Sequence, residues 1–501
     1  MRNRFPFRLP RPLTLAVAAA LPLGLAVGGG MAAAGSAAAA SNGPAAAAHV
    51  TSQAAAAAKP PPIRHVWYID LENEGFGQAF GNNPADPFLA KTLPSRGALL
   101  KNYFGVGHDS LDNYIAQVTG QAPDIATEND CGKWTLFKPG TVFRKPFHQL
   151  VGNGCVYPKS VPTLGNQLSS HHLSWKAYLQ DMGNDPARDN TTQTKQGPAC
   201  GHPVIGTEDD TEGATAADQY ATRHEGFMYF KSVISNRKFC DQHILSFQPL
   251  LKDLSKMSST PNFSWVSPNL CTDGHDAPCA NGDPGGLAEV NGFLHIWIPQ
   301  IMASPAFKKN GLIIITFDEG STSAACCGET VGRTASHPNT AKPGMDGPGG
   351  GRVGAVLLSP FIKAGTVSTK DYNHYSALRS IEDLFHLGHL GDAAMPQVKP
   401  FGPDVYTKHW PARPAAGPGI SCLARRPRRC CENAMMRTQN SGGTGSLLSI
   451  RSSRSVLSIG SAGSILSAGS ASSILSVGSA GCILSIGSAG CILSAASVGA
   501  R

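Results

Sequence analysis

Short apolar runs alternate along the chain with polar clusters that follow them closely. The sharpest case is Gly311-Leu312-Ile313-Ile314-Ile315-Thr316-Phe317, which ends in Asp318, Glu319 and Gly320. A run so short and so rich in β-branched residues predicts a strand buried on both faces of a parallel sheet. Residues 63–71, 99–107, 261–268 and 353–360 share the form and are expected to be strands too. Between them the apolar positions shift to helical spacing. Ile115 and Val118, with Tyr114, mark one face of a short helix that Gly120 would close. Leu287, Val290, Phe293, Leu294, Trp297 and Ile301 mark a longer helix. Leu378, Ile381, Leu384 and Phe385 mark a third, capped by Ser376. A helix and then a strand are expected from Leu164 to Leu179, and residues 183–213 are expected to be a long polar loop, a candidate lid.

The polar clusters carry the candidate chemistry. In open α/β sheets ligands sit at the carboxyl ends of the strands. Asp318 and Glu319 stand at such an end, and buried carboxylates are costly unless paired or bound to a cation. The alternative is two solvated acids in a turn. Glu72 and Asn73 follow the first strand as hard oxygen donors, or Asn73 or Glu74 as a helix cap. After the second strand comes His108-Asp109-Ser110-Leu111-Asp112-Asn113-Tyr114, with Ser110 at a strand-to-helix turn. A helix N-terminus offers free N–H groups to a phosphate, so Ser110 is a candidate nucleophile and Asn113 a candidate phosphoryl-oxygen donor; the competing role for Ser110 is a plain cap. Asp273, His275 and Asp276 follow the 261–268 strand, in a loop that Cys271 and Cys279 would staple. His275 could bind a metal, steady a phosphoryl group or protonate a leaving alkoxide. His374, in Asn373-His374-Tyr375-Ser376, either completes the site or anchors its helix. His171-His172 and His337 are expected to be solvated loop residues.

Glu72-Asn73, His108-x-Ser110-x-x-Asn113-Tyr114, the Asp318-Glu319 strand and Asn373-His374-Tyr375-Ser376 together resemble the secreted bacterial phosphoesterase family. That family groups acid phosphatases with phospholipase C-type enzymes and is similar to the alkaline phosphatase superfamily. The likeness runs from about Ile63 to about Gly391. It implies an α/β three-layer sandwich with a mostly parallel central sheet, a serine or threonine nucleophile and a bound divalent metal. By position it makes Ser110 the nucleophile, and Glu72, Asn73, Asp318 and Glu319 the metal ligands. His108, Asn113, His275 and His374 join the catalytic set, with Asn113, Asp273 and Asp276 facing the phosphate. Oxygen-rich ligands favour calcium, magnesium or manganese, and a histidine in the shell admits zinc or iron. Family members often carry proline where this chain has Asp109 and Asp112. Two extra carboxylates beside a phosphate would repel it unless they point away or ionise less.

The implied function is a secreted, metal-dependent phosphoric ester hydrolase, of acid phosphatase type, working through a phosphoserine. The alternatives are a phospholipase C-type enzyme acting on phospholipid and, in another class, an inactive exported scaffold. Composition limits the setting. The net charge of +8 is modest for 501 residues, and no basic stripe interleaved with aromatics suggests nucleic acid. Four early arginines, the apolar residues 13–27 and small residues after them predict a signal peptide over 1–40, cleaved between about Ala32 and Ala40; a retained anchor is the alternative. Residues 41–62 form an Ala/Pro-rich spacer, 63–410 the catalytic domain and 411–446 a basic linker. Residues 447–501 carry a nine-residue Ser/Gly/aliphatic repeat, expected as a small β-solenoid or as disorder, and as a tether to a wall or surface. Thirteen cysteines in an exported chain imply disulfides. Cys271–Cys279, Cys131–Cys155 and Cys200–Cys240 are the candidate pairs, while Cys326 and Cys327 are left to separate bridges or free thiols.

Overall fold

A computed structural model describes residues 60–81, 85–139, 146–328 and 349–408, together with the backbone of six short strands between 448 and 498. The expected signal peptide, most of the spacer, His337 and the basic linker lie outside the described residues. The chain divides at Pro411/Ala412 into two units.

The first unit is built on a ten-stranded sheet. Its strands are β1 (His65–Leu71), β2 (Ala98–Phe104), β3 (Trp175–Leu179), β4 (Thr192–Thr194), β5 (Gly197–Ala199), β6 (Ile244–Ser246), β7 (Phe263–Ser267), β8 (Gly311–Phe317), β9 (Ala355–Leu358) and β10 (Thr366–Asn373). Their order is β10-β2-β9-β8-β1-β7-β3-β6-β5-β4. The central neighbours β8, β1, β7, β3 and β6 run parallel, as do β10 and β2, while β9 runs against both β8 and β2. All seven residues of β1 and all seven of β8 are buried, as expected of strands covered on both faces. Successive side chains point to opposite faces. Trp67 packs on Phe307 beneath the sheet, whereas Tyr68 stacks on Trp265, which meets Tyr114 above it. Helices therefore cover both faces, giving the expected three layers.

Five helices matter for the site: α1 (Ser110–Thr119), α2 (Leu164–Ser170), α3 (Gly286–Ala303), α4 (Pro305–Asn310) and α5 (His374–Phe385). Every residue of α1 is buried, and Gly120 ends it in the left-handed region at φ 68°. At α5 the cap is Asn373, whose side chain accepts from Ser376 N, rather than Ser376 itself. The polar stretch 183–213 is no simple loop either. It contains a helical turn, Pro186–Asp189, and the β4–β5 hairpin that adds an antiparallel edge to the sheet. Its Thr- and Gln-rich strands are too short and too polar to show an alternating pattern.

Four disulfides close in the described residues: Cys131–Cys155, Cys200–Cys240, Cys271–Cys279, and Cys326 with its neighbour Cys327. The last corrects the expectation of separate bridges or free thiols. Among the described residues no helix is long and apolar enough to cross a membrane. In the second unit six strands pair parallel at a nine-residue offset, Leu448 with Leu457, Leu457 with Leu466 and so on to Leu493.

Candidate active site

The register of the sheet assembles the centre. Leu71 and Phe317 are opposite one another on β1 and β8, so Glu72 and Asp318 leave the two strands side by side. Asn73 adopts a left-handed φ of 66°, and its backbone N–H donates to Asp318 Oδ1 at 2.9 Å. Helix α1 meets this rim end-on. Its first residue, Ser110, donates through Oγ to Glu72 Oε2 at 2.7 Å. One turn later the Tyr114 hydroxyl donates to Glu72 Oε1, also at 2.7 Å. Positions four apart share a helix face, so one helix holds both oxygens of one buried carboxylate.

Two histidines complete the group. His224 Nδ1 lies 2.9 Å from Asp273 Oδ2, and His275 Nδ1 lies 2.8 Å from Asp276 Oδ1. Each carboxylate accepts the Nδ1 proton, which leaves the lone pair of each ring on Nε2. His224 Nε2 then faces Glu72 Oε1 at 3.3 Å. Ligand atoms of Glu72, His224 and His275 all lie within 4.8 Å of one another. Burial, with Arg223 and His275 nearby, holds His224 well below the usual imidazole range, so it is neutral.

The carboxylates are under strain of the opposite kind. Burial first, then Asp318 and Asp273, push Glu72 far above the usual carboxylate range. Burial first, then Glu319, push Asp318 up to about 7. Asp318 Oδ2 is buried without a hydrogen-bond partner. Crowded buried acids beside two unprotonated imidazole nitrogens are the donor set a divalent cation relieves, so the residues present fit a bound metal.

The remaining expected site residues occupy other posts. Glu319 does not join Glu72: its Oε2 accepts from Asp109 N at 3.1 Å and contacts His108 Nδ1 at 3.1 Å, clamping the turn before Ser110. Asn73 lends its backbone to Asp318 and its Nδ2 to Glu72 Oε2 at 3.3 Å. Asn113 is fully buried. Its Oδ1 accepts from Val106 N and Gly107 N, and its Nδ2 donates to Gly107 O, Asp109 O and Asp112 Oδ1. It braces the 105–109 turn. Asp273 and Asp276, expected against phosphate, each meet one of the two histidines. His374 lies behind the site: Nε2 donates to the Asp318 carbonyl at 2.6 Å, while Tyr103 and Gln117 approach Nδ1. Burial lowers its pKa to about 4, so it anchors as a neutral ring.

Asp109 and Asp112 both ionise less. Burial, then Asp130 and Glu319, raise Asp109 to about 8. Burial, then Glu319, raise the fully buried Asp112 well above its usual range. Asp112 packs so tightly on Gly107 that any Cβ there would collide with its carboxylate.

His224 was not foreseen from the sequence, nor was Arg223 beside it. Both lie in a 3-10 turn, Thr222–His224, that no periodic pattern announces. The available signal was the adjacent Arg223-His224-Glu225 triplet just ahead of the buried aromatic run Phe227, Tyr229 and Phe230.

A model of the Phosphoesterase family matches residues 83–388, a span that takes in Ser110, His224, His275 and Asp318 while Glu72 precedes it. The chain is 25% identical over 327 residues to a phosphate-repressible acid phosphatase of Penicillium chrysogenum, covering 65% of this chain and 59% of that protein. It is 24% identical over 329 residues to a phosphatidylinositol-3-phosphatase of Mycobacterium tuberculosis, covering 66% of this chain and 79% of that protein. The first two acid phosphatases it matches are spanned over 59% and 62% of their length. A solved protein of the alkaline phosphatase superfamily from Vibrio parahaemolyticus superposes with a TM-score of 0.38 at 10% identity, over 68% of this chain and 72% of that one.

Proposed function

The chain belongs to the phosphoesterase family, and on that premise we propose that it hydrolyses phosphate monoesters through a covalent phosphoserine on Ser110, with a divalent cation at Glu72, His224 and His275. The observation that carries the reading is the 2.7 Å bond from Ser110 Oγ to Glu72 Oε2 at the start of α1, against a group of cation-ready donors. The helix end offers positive dipole to the phosphoryl group. Ser110 Oγ forms the bond to phosphorus as the ester P–O bond breaks; the serine proton passes to Glu72, and the leaving alkoxide takes its proton from water. His275, whose side chain is 31% exposed, stands at the solvent side where the alcohol departs. Water then attacks the phosphoserine, the P–Oγ bond breaks, phosphate leaves, and Glu72 returns the proton to Ser110 Oγ. A bound cation supplies charge neutralisation and a lowered hydroxyl pKa. One carboxylate and two imidazoles suit zinc, iron or manganese better than calcium or magnesium.

The phosphoinositide phosphatase among the relatives supports adding a phosphorylated lipid headgroup to the substrate class. The named relatives lend the phospholipase C alternative no support. The disulfides support export, and the in-register repeat strands support a surface tether, which cell fractionation with and without residues 412–501 tests. The enzyme itself is tested by assaying the full chain on a chromogenic phosphomonoester, with and without chelator. Chelator-sensitive hydrolysis supports the reading. No hydrolysis under any metal condition leaves the inactive scaffold.

A further inference from the structure

Arg223 lies within the site, and no step of the reaction above uses it. It is buried, with 4% of its surface exposed. Two contacts tie it to the site. Its Nη2 lies 3.2 Å from His275 Nε2. Its Nε lies 3.7 Å from Asp130 Oδ2, and Asp130 Oδ1 accepts from Leu111 N, the residue after Ser110, at 2.9 Å. The far side of the guanidinium is pinned, since Nη1 donates to Glu212 O at 2.8 Å and to Glu212 Oε2 at 3.4 Å. The near edge, Nε and Nη2, is different. Nε is buried without a hydrogen-bond acceptor. Nη2 has His275 Nε2, and arginine only donates, so His275 must offer its lone pair there.

That lone pair is the one a cation on Glu72, His224 and His275 would need. It cannot serve both. We infer that Arg223 is the phosphoryl-binding residue of this site, and that cation binding at His275 frees its Nε–Nη2 edge to receive two oxygens of a phosphate monoester. The edge is a planar two-donor fork of the kind that matches a tetrahedral oxyanion. Its buried Nε, 3.7 Å from Asp130 Oδ2, makes no hydrogen bond, and Nη2 would join it once His275 turned to the metal. Cation and phosphate would thus bind with positive coupling, each removing a partner the other must otherwise displace. This inference rests on the phosphatase reading.

The test uses the full chain, stripped of metal and then loaded with Mn2+. Inorganic phosphate binding is measured by calorimetry, Mn2+ affinity by titration, and phosphomonoester hydrolysis in parallel. In the unaltered protein Mn2+ should tighten phosphate binding at least about tenfold. Arg223→Gln should keep Mn2+ affinity equal or tighter, because the competitor for His275 is gone. It should weaken phosphate at least about tenfold in the Mn2+ form. Arg223→Lys, which keeps the charge and loses the fork, should fall between. Unchanged phosphate affinity in Mn2+-loaded Arg223→Gln, alongside an active unaltered protein, overturns the inference and leaves the phosphatase reading standing. Loss of Mn2+ binding in both variants also overturns it, since Arg223 would then build the metal site rather than compete for it. If the unaltered protein neither binds phosphate nor hydrolyses ester, the phosphatase reading fails, and Arg223's role with it.

Discussion

Glu72 is the residue on which the site turns. It accepts from Ser110 and Tyr114, is approached by Asn73, and faces His224. Ser110→Ala removes one hydroxyl from a buried turn and should abolish turnover while shifting Tm little, checked by a steady-state assay beside a thermal melt. The histidine partners should act on the metal instead. Asp273→Asn, its one oxygen kept on His275 N, turns an amide N–H towards His224 Nδ1 and upsets its tautomer, so Mn2+ affinity should fall roughly 10- to 100-fold, read by titration. Equal affinity in that variant would make Asp273 merely structural. At this scale the sequence revealed the residues at strand ends and little else. Ser110, Glu72 and Asp318 stand where an apolar run stops, which is visible in one dimension. Asp273 and Asn113 stood out as polar residues near those ends, but whether a side chain meets substrate or a neighbouring ring is decided by contacts across 49 residues or by a turn six residues long.

Strands β1 and β8 were legible as elements because burial on both faces writes a continuous apolar run, and helix α1 because spaced apolar residues end in Gly120. The β4–β5 hairpin was not, for its stability comes from pairing at the sheet edge rather than from its own pattern. Ile314 lies in β8 with no exposure, and Ile314→Ala should cost about 2–5 kcal/mol, measured by denaturant unfolding. Helix α5 carries a pH-sensitive tie away from the centre. Glu382 Oε1 accepts from Leu390 N at 2.8 Å, and burial raises its pKa from 4.5 to about 9. The folded state therefore binds a proton that the unfolded state releases between those values. This contribution to stability is full below about pH 4.5 and is lost as pH climbs towards about 9. Glu382→Gln should flatten that decline, raising Tm at pH 8 relative to pH 5, as paired melts would show.

On the scale of the whole molecule, the match to the phosphoesterase family and the ten-stranded sheet account for the first unit, and the nine-residue offset for the paired strands of the second. The period was plain in the sequence because identical Leu-Ser steps recur. The histidine half of the site was hidden because His224 and Glu72 are 152 positions apart in the chain (224 − 72) yet 3.3 Å apart in space. A chain ending at Pro411 should retain the turnover of the full protein, since every residue placed at the site precedes that point. Transfer of the phosphoryl group through Ser110 underlies the whole mechanism. It is tested most directly by acid-quenching the protein during turnover of a phosphomonoester and mapping phosphorylation by mass spectrometry. A phosphoryl group on Ser110, absent from Ser110→Ala, is the expected result; active turnover with Ser110 never modified would contradict it.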